Sequence, residues 1–240
     1  MKKKINLSLN CSKIIRKRKE IKYVVIHYTG MQSEIESIDR LKNTRSKVSC
    51  HYLINRKGLI TQLVMENKVA WHAGKSKWKK LNNLNSCSIG IELVNKGHQW
   101  GYQNFSNLQI KTLINLCLNL KKKYKIKNVN FLGHSDIAPL RKLDPGEKFP
   151  WKKLSYYGIG TWYKEKIENV KIKKNKRSDL FFKNLNKIGY RYFNLRRRTR
   201  KDKMIIKAFQ RRYNSHKVTG LIDQKTLNIS HFLANKHKLT

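Results

Sequence analysis

Acidic residues are scarce in this chain, with 14 Asp and Glu against 55 Lys and Arg over 240 residues, a formal charge of +41. Such a balance gives a positive potential toward any polyanion, and nucleic acid, anionic lipid and anionic cell wall all qualify. The basic residues are spread along the whole chain, many of them Lys beside Asn and Ile. That pattern favours a solvated Lys-rich surface over a dedicated polyanion site. Uninterrupted apolar stretches of about 18 residues are also missing, which excludes an ordinary membrane-spanning helix. The cysteines, Cys11, Cys50, Cys87 and Cys117, lack CxxC spacing, so neither a zinc knuckle nor a thioredoxin-type pair is indicated. At the N-terminus the apolar patch of residues 5–9 is too short for an ordinary secretory signal. Asn10, ahead of Cys11, is not the small residue that lipoprotein processing favours. Nothing in the sequence speaks to oligomeric state.

What is present suffices for a folded protein. Apolar residues make up 39% and aromatics 10% of the chain, enough to bury a core. The length accommodates one medium domain and a smaller one.

The run Tyr23-Val24-Val25-Ile26-His27-Tyr28, ended by Thr29-Gly30, predicts a buried strand that delivers His27 to its end. Ser33 with Glu36 reads as a capping box, and Ile35, Ile38 and Leu41 follow at helical spacing. Residues 51–55 and 59–64 alternate around Arg56-Lys57-Gly58, a hairpin signal. Residues 88–94 read as another buried strand. Ser106 with Gln109 opens a longer amphipathic helix through Ile110, Leu113, Ile114, Cys117 and Leu120, and residues 129–132 lead a strand into Gly133-His134. This order describes an α/β layer domain over about residues 20–155. The polar, basic stretch 164–178 reads as a linker. Beyond it, Leu180 to Ile188, Met204 to Tyr213 and Asp223 to Leu233 suggest a small helical domain.

Zinc hydrolases use three protein ligands, commonly His and carboxylate, and leave a fourth position open. His27, His134 and Asp144 can supply that set, although their separation is no local signature. By themselves His27 and His134 read more readily as hydrogen-bonded histidines at strand ends, and Asp144 as the turn residue before Pro145-Gly146. Two readings also stand for Glu92 within Ile89-Gly90-Ile91-Glu92-Leu93-Val94. Buried, its carboxylate requires a charged partner, such as a metal-bound water; on the wet face of an edge strand it requires nothing.

Five ordered blocks carry a resemblance. Val25-Ile26-His27-Tyr28-Thr29, Val69-Ala70-Trp71-His72-Ala73-Gly74, Ser88-Ile89-Gly90-Ile91-Glu92, Gly133-His134-Ser135-Asp136-Ile137-Ala138-Pro139 and Arg141-Lys142-Leu143-Asp144-Pro145-Gly146 occur in the order found in type 2 N-acetylmuramoyl-L-alanine amidases. The subgroup resembled most is the bacterial envelope amidase with a C-terminal peptidoglycan-binding domain. In the tail, residues 185–190, Ala208 to Tyr213, and Thr219-Gly220 with Asp223, Thr226 and Leu227 look like that three-helix module.

The resemblance implies a central mixed β-sheet flanked by helices, followed by a small three-helix domain. It divides the chain into a basic segment at 1–19, a catalytic domain at 20–163, a basic linker at 164–178 and a peptidoglycan-binding helical domain at 179–240. It makes His27, His134 and Asp144 the ligands of one zinc ion, Glu92 the general base and Lys142 a transition-state stabiliser. Lys142 and Asp144, one residue apart, share a face of an extended loop. Trp71 and His72 match a stretch lining the substrate cleft, although Trp71 reads as well as a core residue. His51 reads as structural. Some family members have an assisting tyrosine near the position of Cys50, which this chain departs from. The expected substrate is peptidoglycan or muropeptide, including the 1,6-anhydro form, without specific nucleic-acid binding. A wall-binding module points to the envelope or periplasm, while the N-terminus leaves a cytoplasmic recycling role open. The competing functions are a recognition protein that binds wall fragments without cutting them and a polyanion binder driven by charge.

Overall fold

The computed structural model describes residues 3–236. In chain order the strands are β1 (Lys3–Ile5), β2 (Cys11–Ile15), β3 (Tyr23–Tyr28), β4 (Tyr52–Ile54), β5 (Ile60–Gln62), β6 (Lys68–Ala70), β7 (Lys77–Trp78), β8 (Leu81–Asn82), β9 (Ser88–Leu93) and β10 (Phe131–Gly133). The α-helices are α1 (Glu34–Lys42), α2 (Asn107–Tyr124), α3 (His134–Ile137), α4 (Trp151–Ser155), α5 (Arg177–Ile188), α6 (Asp202–Tyr213) and α7 (Gln224–Lys236).

Six strands form a mixed sheet in the order β1-β5-β4-β9-β3-β10. β10, β3, β9 and β4 run parallel, so their C-terminal ends meet along one edge of the sheet. The hairpin expected around Gly58 is the antiparallel pair β4 and β5. β3 lies between β9 and β10 with both faces of the sheet covered, which is why Val24, Val25 and Ile26 are wholly buried. β9 lies between β3 and β4 and is not an edge strand, so the wet-face reading of Glu92 does not apply.

Alternation along these strands divides the interior between two faces. Val24, Ile26, Ile89, Ile91 and Phe131 pack against Ile110, Leu113, Ile114, Cys117 and Leu120 of α2. Each such buried aliphatic side chain contributes roughly 1.5–3 kcal/mol. Ser106 caps α2 by accepting from Gln109 N at 3.1 Å, and Ser33 does the same for α1 with Glu36 N. On the opposite face Tyr23, Val25 and Leu132 share a core with Phe181, Leu185, Phe209 and Leu233 of the C-terminal helices. Trp78 joins that core by packing edge-on against Tyr190, with ring centroids 5.0 Å apart.

Two segments that read as separate are tied into this body. Within the basic segment 1–19, β1 pairs with β5 and β2 with β6, and the buried Arg16 guanidinium donates to the carbonyls of Ser88 at 2.7 Å and Glu66 at 2.6 Å. Met1 and Lys2 lie outside the described residues. Within 164–178, Ile167, Val170 and Ile172 pack on the second core, and Val170 N donates to Asn228 Oδ1 on α7 at 3.0 Å. The helices expected in the tail are α5, α6 and α7. All the cysteines are free thiols. Among the described residues no helix is long and apolar enough to cross a membrane.

Candidate metal centre

The parallel register builds the site. His27 pairs with Glu92 across β3 and β9, and Gly133, beside Ile26, hands the chain to His134 at the start of α3. Both histidines and Glu92 therefore reach the same sheet edge, where ligands collect in parallel sheets. Asp144 arrives from the loop after α3, pinned by Ser135 N donating to its backbone carbonyl at 2.8 Å.

His27 Nδ1, His134 Nδ1 and Asp144 Oδ2 form a compact triangle, with separations of 2.9, 3.0 and 3.0 Å. All three residues are buried, and the triad is a set of donors able to hold a metal ion. Each imidazole is committed on its far nitrogen. His27 Nε2 lies 3.1 Å from His72 Nδ1, and His72 Nε2 lies 3.1 Å from Ser88 Oγ, whose hydroxyl donates to Leu84 O. A proton on each Nε2 satisfies this chain and leaves His27 Nδ1 as a lone pair. His134 Nε2 lies 3.2 Å from the carbonyl of Ala73. Arg141 donates to that carbonyl at 2.5 Å and approaches His134 Nε2 at 3.3 Å; its shorter bonds go to Ala73 and Lys75, so the Nε2 proton is assigned to Ala73. Both Nδ1 lone pairs then converge beside the carboxylate, as metal-ligating histidines do.

The electrostatics agree. Burial and the neighbouring His134 hold His27 down to about 4, so it is neutral at pH 7. Burial pushes the Asp144 carboxyl upward, but the imidazoles of His134 and His27 overcome it and hold the group well below the usual carboxylate range. Glu92 is partly buried and its Oε2 has no hydrogen-bond partner among the described residues. Burial, with the Asp144 charge adding and Lys142 opposing, raises its carboxyl to about 8. A carboxylate so placed is poised to exchange a proton near neutral pH.

His134, Asp144 and Glu92 open onto a cavity of about 860 Å³, lined also by Trp71, His72 and Lys142. Trp71 is half-buried at its wall, and the 45% exposed Trp100 stands at its mouth. His72 is buried beneath the metal triad, where Gly90 gives its ring room; any Cβ there would collide with the imidazole. His51 lies deeper still, accepting from Gly90 N at 3.0 Å, and Cys50 is buried with its thiol on Tyr52 O. Sequence reasoning passed over Tyr28, His98 and Trp100 on the rim. Tyr28 OH meets His98 Nδ1 at 2.8 Å, and His98 Nε2 meets Glu147 at 3.1 Å. Residues as far apart as Tyr28, His98 and Glu147 leave no local pattern. Tyr28, Ser88 and Arg141 lie within the blocks that resemble the family, but only the fold reveals their partners.

A family model described as N-acetylmuramoyl-L-alanine amidase matches residues 17–147, more than half of the chain. The chain belongs to the type 2 N-acetylmuramoyl-L-alanine amidase family. Among curated amidases of this family, AmiD of Escherichia coli is 44% identical over 154 residues, covering 59% of this chain and 55% of that protein. The 1,6-anhydro-N-acetylmuramyl-L-alanine amidase AmpD of Haemophilus influenzae is 42% identical over 108 residues, 45% of this chain and 56% of that protein. The chain thus spans a little over half the length of these curated relatives. Two solved structures match almost throughout. Escherichia coli AmiD, in complex with the substrate anhydro-N-acetylmuramic acid-L-Ala-D-gamma-Glu-L-Lys, superposes with a TM-score of 0.79 at 33% identity over 94% of this chain and 92% of that one. AmpDh3 of Pseudomonas aeruginosa gives 0.79 at 29% identity, covering 95% of each chain. The amidase fold of a mixed sheet flanked by helices is therefore this chain's fold.

Proposed function

We propose that this chain hydrolyses the amide between the lactyl group of N-acetylmuramic acid, or its 1,6-anhydro form, and L-alanine, using one zinc ion held by His27, His134 and Asp144. The observation that carries this reading is the triangle of donor atoms, 2.9 to 3.0 Å on a side, with both imidazoles tied back through Nε2. Tetrahedral zinc with ligand bonds of about 2.0–2.1 Å separates its donors by roughly 3.3 Å, so the triad fits it with shifts of a few tenths of an ångström. Two nitrogens and one carboxylate oxygen are also a donor set zinc hydrolases use.

Bound there, zinc supplies Lewis-acid polarisation and makes water a competent nucleophile at neutral pH. The remaining work falls to the chain. Glu92, with its unpartnered Oε2, takes the proton of the attacking water and returns it to the leaving amine. Lys142 lines the same cavity, and its ammonium offsets the negative charge that develops on the carbonyl oxygen. Trp71 offers an aromatic face to the sugar or peptide. His72 sits beneath His27, a placement that supports an orienting role over direct substrate contact.

Complexes of AmiD and AmpDh3 with anhydromuropeptides support muropeptides, the anhydro form included, as the substrate class. The C-terminal helices are proposed to hold the wall polymer, which suits action in the envelope; soluble anhydro-muropeptides as the better substrate would favour recycling in the cytoplasm. A recognition protein that does not cut is less well supported, because no member of the metal triad is missing.

The deciding experiment is cleavage of anhydro-muropeptide and of intact sacculi by purified protein, before and after chelation and zinc readdition. Hydrolysis that survives chelation would overturn the zinc mechanism. Binding to sacculi without cleavage under any metal condition would leave the recognition reading standing. Saturable DNA binding that persists at high salt would instead assign the charge of +41 to a nucleic-acid function.

A further inference from the structure

Asp136, two residues past His134 on α3, is 1% exposed. Its Oδ2 accepts from Gly133 N at 2.7 Å, closing the turn from which His134 projects. The same oxygen is ion-paired with Arg212, and Oδ1 accepts from Tyr190 OH at 2.5 Å. Both partners come from the C-terminal helical segment, beyond the residues 17–147 that the amidase family model matches. Both are buried.

Arg212 also grips the strand on the other side of His134. Its guanidinium donates to Phe131 O in β10 at 3.0 Å and lies 3.9 Å from the centre of the Trp151 ring. One side chain therefore clamps both the strand leading into His134 and the turn leading out. The same helix reaches the cavity rim through its neighbour Arg211, whose Nε is 3.8 Å from Glu147, the carboxylate that holds His98.

We infer that Arg212 and Tyr190 are positioning residues for the metal centre, so that the C-terminal helices form part of the machinery that sets His134. The inference rests on the zinc reading above. Its physical basis is the buried charge. Without Arg212 the Asp136 carboxylate is left in the interior without a counter-charge. Phe131 O loses its donor at the same time, so the strand and the turn that flank His134 both lose the side chain that fixes them. Rigidly supported donors bind metal more tightly than donors that must be ordered on binding.

The test measures zinc affinity of the full chain by competition with a chromophoric chelator, together with the thermal midpoint. The variants are Arg212→Met, Tyr190→Phe, and Leu233→Ala, which creates a cavity in the shared core on α7 and removes no bond to the turn. Arg212→Met is expected to weaken zinc binding by about 10-fold or more, and Tyr190→Phe by several-fold, in the range typical of residues that support metal ligands. Leu233→Ala is expected to lower the midpoint and leave zinc affinity unchanged. If Arg212→Met does not fold, Tyr190→Phe, which deletes a single hydroxyl, decides. Zinc affinities within twofold of wild type in the folded variants, with only the midpoint lowered, would overturn the inference. A wild-type chain that binds no zinc overturns the zinc reading itself, a distinct outcome.

Discussion

His72 stands directly behind His27, its Nδ1 3.1 Å from His27 Nε2, with Ser88 holding its other nitrogen at the same distance. This places His72 where it fixes the tautomer of a candidate metal ligand. His72→Phe, which keeps a ring and removes the acceptor, is expected to weaken zinc binding by roughly 10–100-fold. Gly90→Ala should act in the same direction, because a methyl there displaces the His72 ring. A chelator competition measures both. An unchanged zinc affinity with a raised KM for muropeptide would return His72 to the substrate cleft.

Glu92 separates chemistry from metal binding. Glu92→Gln preserves the size of the side chain and removes its basicity, so kcat is expected to fall about 10²- to 10⁴-fold. Zinc content should stay at one ion per chain, since Glu92 is outside the triad. Steady-state kinetics beside metal analysis by mass spectrometry reads both quantities, and near wild-type turnover would remove Glu92 from the mechanism.

Metal removal should register in stability as well as in activity. A ligand present at 100 times its dissociation constant stabilises the folded state by about 2.7 kcal/mol. Thermal unfolding with and without zinc should therefore differ by several degrees in the wild type. Asp144→Asn, which removes the charge from the triad, should abolish most of that difference. An equal zinc response in the variant would argue that the ion binds elsewhere.

Acid sensitivity is predicted at Glu66, which lies outside the lining of the metal-centre cavity. Burial pushes its carboxyl upward, but hydrogen bonds from Lys123 at 2.5 Å, Tyr124 at 2.6 Å and Tyr52 at 2.5 Å bring it below the ordinary value. A carboxyl depressed in the folded state binds fewer protons there than in the unfolded chain. Its stabilisation is complete above the unfolded pKa of about 4.3 and is lost as pH falls through the lower folded value. Glu66→Gln should cost about 1–3 kcal/mol at pH 7 and flatten the loss of stability below pH 5. Parallel pH-dependent melts of wild type and variant would refute this if their slopes coincide.

Much of the architecture is legible in local pattern. The β-branched run at Tyr23–Tyr28, the serine caps at Ser33 and Ser106 and the helical spacing of α2 depend on near neighbours, and each forms the element expected of it. What local pattern missed is long-range. Lys3 pairs with Ile60, and Arg16 bonds to Ser88 and Glu66, so a segment that reads as a loose basic tail is part of the sheet and its support. The basic stretch 164–178 reads as a linker because its charges face water, yet its few apolar residues pack on the second core.

By itself the sequence determined the central strands and the longer helices, the blocks around His27, Glu92, His134 and Asp144, and hence the family, because these depend on residue type and order. Only the tertiary structure decided which atoms meet. Parallel register brings His27 level with Glu92, strand order makes β9 central, and the far nitrogens of the histidines find acceptors in His72 and Ala73. The reach of Arg212 to Asp136, across 76 positions, was equally hidden. A buried charge takes its partner wherever the packed core brings one near, and sequence separation carries no trace of that choice.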